Sequence, residues 1–117
     1  MKYIKPPPPV LVTTLDGTPA NDEHGQHVHM DLSGFILGRL TDRSFATDMT
    51  SVLSAVSIKA AVTDGVIALE TADWERLKRA VEKPEGGYNP LYAHNLVEFM
   101  RAIVSASDTP PEPDTKR

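Results

Sequence analysis

Four consecutive prolines, Pro6 to Pro9, constrain this chain more than any other feature. Each fixes φ near the polyproline value and lacks an amide hydrogen, so the segment can pass through neither a helix nor a sheet interior. It therefore runs extended and separates a short start, carrying Tyr3 and Ile4, from the rest of the sequence. Residues 1–9 are expected to form an extended arm outside the fold. It reads as a stiff spacer or, with Lys5 setting the orientation, as a preorganised ligand for an aromatic groove. Tyr3 and Ile4 at its tip are candidate partner contacts.

Beyond the arm the sequence is that of an ordinary globular chain. Of 117 residues 40% are hydrophobic and 24% charged, a balance that can support a packed core. The length fits one domain, taken as residues 10–106. After Ser107 the sequence holds no apolar residue except proline, so 107–117 is expected to be a disordered tail.

Several function classes drop out on composition. There is no cysteine, which removes disulfides and thiolate chemistry. The formal charge is -4 and no run of Lys or Arg offers a phosphate-binding footprint, so no nucleic-acid partner is expected. No apolar stretch is long enough for a signal peptide or membrane span, so the expectations are no membrane partner and a cytoplasmic location.

The pattern along the chain alternates short strands with helices. Val10 to Leu15 is apolar and β-branched and ends at Asp16-Gly17, a dipeptide suited to a tight turn. Asn21 to Gly25 makes a second turn, and from Gln26 to Met30 apolar Val28 and Met30 alternate with His27 and His29. Asp31 can cap a helix running to about Leu40, with Met30 and Phe35 as a hydrophobic staple. A second helix is expected from near Phe45, since Phe45, Met49, Val52, Leu53, Val56 and Ala60 recur at three and four residues. Val66 to Leu69 reads as a third strand. Thr71 is the expected cap of a helix that places Trp74, Leu77 and Val81 on one face and stops at Lys83-Pro84. On its solvated side Glu75 is four residues from Arg79, and Lys78 from Glu82. After Glu85-Gly86-Gly87, Asn89-Pro90 opens a last helix to about Ser105. The fold class is α+β: a short N-terminal hairpin and a third strand packed with about four helices.

Candidate chemistry is sparse. His24, His27 and His29, with Asp22, Glu23 and Asp31 nearby, could supply nitrogen and oxygen ligands to a metal ion, although their spacing matches no zinc pattern and a solvated strand face reads the same way. No nucleophile elbow, P-loop or dinucleotide fingerprint is present, so neither an enzyme nor a cofactor is expected. Trp74 reads as core, and His94 as structural. In the last helix Leu96, Phe99, Met100 and Ile103, with Leu91, Val97 and Val104, form an apolar face wider than a small core needs, and the first four are candidate partner contacts.

Thr13 to Pro19, followed by Asp22-Glu23-His24-Gly25 and later by Val66 to Trp74, resembles the opening and middle of small proteins encoded by tailed phages and prophages. The resemblance spans residues 10–104; the proline arm lies outside the pattern, and no functional residue carries over. It implies a virion-assembly role, as a tail assembly chaperone or minor virion component. Such a protein works in the host cytoplasm or on the virion, as a homo-oligomer or bound to an assembly partner. The rival expectations are a small regulator or inhibitor of a host protein, which the acidic charge suits, and metal binding at the histidine hairpin.

Overall fold

A computed structural model describes residues 1–42, 45–63, 65–84 and 87–110. Strands β1 (Lys2–Ile4), β2 (Val10–Leu11) and β3 (His29–Met30) precede helices α1 (Leu32–Leu40) and α2 (Met49–Ala61). Then come β4 (Ile67–Leu69), α3 (Thr71–Glu82), a short 3₁₀ turn (Ala93–Leu96) and α4 (Val97–Val104). The class is α+β, with four α-helices and two small antiparallel sheets among the described residues.

The hairpin forms where turn chemistry placed it. β2 pairs with β3 through Val10 opposite Met30 and Leu11 opposite His29. Gly17 has φ of 94° and Gly25 of 77°, conformations that a side chain would strain. The Asp16 carboxylate accepts from Thr18 N at 3.1 Å, and that of Asp22 accepts from His24 N at 2.8 Å and Gln26 N at 3.0 Å. The expected strands, 10–15 and 26–30, are shorter than the sequence suggested. Between them the chain folds back once more, so that Ala20 N donates to Val12 O and Val28 N to Ala20 O.

β1 corrects the reading of residues 1–9 as a free arm. Lys2, Tyr3 and Ile4 pair with Leu69, Ala68 and Ile67 of β4, so the third strand finds its partner at the chain start and not in the hairpin. Ile4 is fully buried. The reason is burial: Ile4 and Ile67 close the same core, a gain that a free tip would forgo. Pro6 to Pro9 are thus a spacer between two sheets. The expected tail is also bound at its start, since Ser107 N donates to Tyr3 O at 3.0 Å, Tyr3 N donates to Ser107 O at 2.8 Å, and Asp108 meets Lys2 Nζ at 2.6 Å. The tail expectation for 111–117 and the Glu85-Gly86 part of the expected connection lie outside the described residues.

Helix ends follow local chemistry. Asp31 caps α1 by accepting from Gly34 N at 2.8 Å. α2 begins at Met49, not near Phe45, because Asp48 captures Ser51 N at 2.8 Å and leaves Phe45 buried in the preceding turn. α3 begins at Thr71 with no side-chain cap and ends at Glu82, with Lys83 as its C-cap before Pro84. Its ion pair is Asp73–Arg76 at 3.8 Å instead of the expected Glu75–Arg79 and Lys78–Glu82. Trp74 points inward and donates its Nε1 hydrogen to Ile103 O at 2.8 Å. Pro90 does not open the α-helix: Asn89 accepts from Leu91 N at 3.0 Å, a turn follows, and α4 proper starts at Val97. The core lies between α1, α3, α4 and the β1–β4 pair, with Phe35 stacked on Phe99 at 5.9 Å.

Candidate interaction surface

The expected partner face on the last helix is core. Phe99 and Ile103 are fully buried, and Leu96 and Met100 are half-buried against the same cluster. Their width of pattern is used up because α4 packs on α3 and stacks Phe99 on Phe35. Phe99, Ile103 and Ile4 are thus closed to a partner, and Leu96 and Met100 keep only part of their surface free. Tyr3 is half-buried, with its backbone bonded on both sides.

Four of the exposed large apolar side chains lie together on α2. This helix packs on α3, β4 and α1. Its inward residues are small or single: Ser54 and Ile58 are buried, and Ala55 and Ala61 partly so. Ser54 Oγ donates to Asp73 Oδ1 on α3 at 2.5 Å, a contact that holds the two helices close. The opposite face carries Met49, Val52, Leu53 and Val56, with exposures of 79%, 47%, 63% and 63%. Their spacing of three and four residues makes one continuous stripe, extended by exposed Ala60.

A helix apolar on both sides is ordinarily a helix with neighbours on both sides. Covering the four large side chains from their present exposure would contribute about 5 kcal/mol per chain, at about 2 kcal/mol for each fully buried side chain. Only one charged residue, Lys59, lies within α2. Asp48 flanks its first turn, and its carboxyl is held below the ordinary carboxylate range, first by the Ser51 N–H and then by the Ser51 hydroxyl. The face thus offers an apolar strip with one acid and one base at its ends.

The histidines are scattered. His24 lies 3.6 Å from Glu23, His27 Nδ1 is 2.9 Å from Asn21 Oδ1, and His29 is exposed on β3. Among the described residues no three His, Asp or Glu side chains are placed to hold a metal ion. His94 Nε2 instead sits 3.0 Å from Thr13 Oγ1. Its neighbour Asn95 is buried and donates Nδ2 to Thr13 O at 2.7 Å and to Tyr92 O at 3.0 Å, while accepting from Thr13 N at 3.1 Å. Sequence reasoning missed this anchor between the hairpin and the helices, because an asparagine in an apolar run carries no local mark of its partner. No helix among the described residues is long and apolar enough to cross a membrane.

No protein family, curated protein or solved structure matches the chain.

Proposed function

We propose that this is a non-enzymatic interaction protein that works in assembly, and that its contact face is the outer side of α2. The observation that carries the reading is the Met49–Val52–Leu53–Val56 stripe, which faces away from a core already complete without it. A cluster of large apolar side chains on one exposed face is costly in water and is characteristic of a surface that is covered when the protein works. The resemblance of residues 10–104 to small phage and prophage proteins supports virion assembly as the setting, in the host cytoplasm or on the particle.

The test is a photo-activated cross-linker placed at Val56 in the full chain, in cells that make it, with Gln26 in the hairpin as the control position. The reading expects one discrete adduct from position 56 and none from position 26. Equal adducts from both positions, or none from position 56, would overturn it.

A further inference from the structure

Resting on that reading of α2, we infer that the partner is a second copy of this chain, docked through an antiparallel two-fold pairing of α2 on α2. On a helical projection Asp48 and Lys59 fall on the same flank of the apolar stripe, about 20° apart, at opposite ends of the helix. A two-fold axis perpendicular to the helix, passing through the interface, keeps each flank on its own side and reverses the helix direction. It therefore brings Asp48 of each copy beside Lys59 of the other, twice. A parallel two-fold would set Asp48 level with Asp48 and Lys59 level with Lys59, so charge selects the antiparallel arrangement.

The apolar residues give the same register independently. The midpoint of Met49 and Val56 falls between Val52 and Leu53, and the midpoint of Asp48 and Lys59 falls between Leu53 and Ser54. The two centres differ by one residue, about 1.5 Å along the axis. Pairing about that point sets Met49 against Val56 along the centre of the stripe, with Val52 beside Val52 on one flank and Leu53 beside Leu53 on the other, at the three-and-four spacing that packs at a shallow crossing angle. The rest of the molecule favours this face for like-with-like contact: each chain carries a formal charge of -4, whereas the stripe is uncharged. The sequence from Asp108 to Arg117 has no apolar residue except proline and so is chemically unsuited to cover it.

Area sets the strength. A helix of 13 residues is about 20 Å long, and pairing it with its copy buries about 1,000 Å² in total, the lower bound for a specific interface. The pairing is therefore weak, with a dissociation constant on the order of 10–100 µM.

Because the chain has no cysteine, single introduced cysteines report the geometry cleanly. Sedimentation of the full chain up to about 1 mM should show a monomer–dimer equilibrium, weakened at least about tenfold by Leu53→Glu and by the independent variant Val56→Lys. Under mild oxidation Leu53→Cys should couple to itself, and Met49→Cys should couple to Val56→Cys but not to itself. A chain that stays monomeric throughout overturns self-pairing, as does a dimer indifferent to both substitutions. Met49→Cys coupling to itself overturns the antiparallel arrangement. The fate of the α2 reading is separate. A photo-adduct at Val56 of twice the chain mass agrees with self-pairing. An adduct of another mass, with a monomer in sedimentation, refutes self-pairing and leaves α2 as the contact face. No adduct refutes both.

Discussion

Ile4→Ala and Leu53→Ala remove comparable apolar groups from opposite sides of the assignment on which the functional reading stands. Ile4 is fully buried beside Ile67 in the β1–β4 ladder, so truncation leaves a cavity as well as losing transfer free energy. Such changes cost about 2–5 kcal/mol, and full burial in a ladder pinned on both sides by backbone bonds argues for at least about 3. For a domain of this size that lowers Tm by about 10–20 °C. Leu53 is 63% exposed, and alanine is the best helix former, so Leu53→Ala should change stability by no more than about 0.5 kcal/mol. Urea unfolding followed by Trp74 fluorescence measures both. The protein should be kept near 2 µM, well below the expected dimer dissociation constant, so that association adds nothing to stability. An Ile4→Ala loss under about 1 kcal/mol would refute the place of β1 in the core. A Leu53→Ala loss above about 2 kcal/mol would show that the α2 stripe serves folding, and the interaction reading would fall with it.

Other outcomes follow from single contacts. Asn95→Ala removes both donations to carbonyls and one acceptance from Thr13 N, so it should cost about 2–4 kcal/mol and speed exchange of the Thr13 amide; unchanged exchange would refute the anchor. Trp74→Phe leaves the Ile103 carbonyl without its side-chain donor and should cost about 1–3 kcal/mol in thermal unfolding; no measurable loss would refute the contact. The Asp48 carboxyl is held below its ordinary 3.8, so its stabilisation is present above that pH and is lost as pH falls through the lower folded value. Asp48→Asn keeps a capping oxygen but does not titrate, so stability below about pH 4 should fall less steeply than in the parent. Superimposable acid limbs in urea midpoints would contradict this.

What the sequence revealed was what local chemistry decides. The turns at Gly17 and Gly25, the Asp31 cap, the inward Trp74 and the stop before Pro84 each depend on a few adjacent residues, and each is legible for that reason. β1 was not legible, because three residues beside a proline run carry no strand signal. Their pairing is set by β4, more than sixty positions away. The Asn95 anchor, reaching Thr13 across 82 positions, was hidden for the same reason. The last helix misled in a different way: seven apolar residues after Asn89 looked like more than a core could use. In fact four of them are wholly or partly packed into it, while Leu91, Val97 and Val104 are exposed.

The α2 stripe was visible as a pattern, but the pattern did not say which way it faces. Periodicity identifies a helix with an apolar face, but it names the inward face only when one face is apolar. α3 meets that condition: Trp74, Leu77, Ala80 and Val81 are buried, and Glu75, Arg79 and Glu82 are exposed. α2 does not, since both its arcs are free of acids and only Lys59 breaks the neutrality. The arc that turned inward is the one with Ser54 and Ala55, because small side chains let α2 approach α3 closely enough for Ser54 to reach Asp73. The large side chains were left outside by that choice. A helix needed only for stability would be better served by the charged outer face that α3 has, so the contrast between two neighbouring helices of similar length itself argues that the outer face of α2 is kept for a contact.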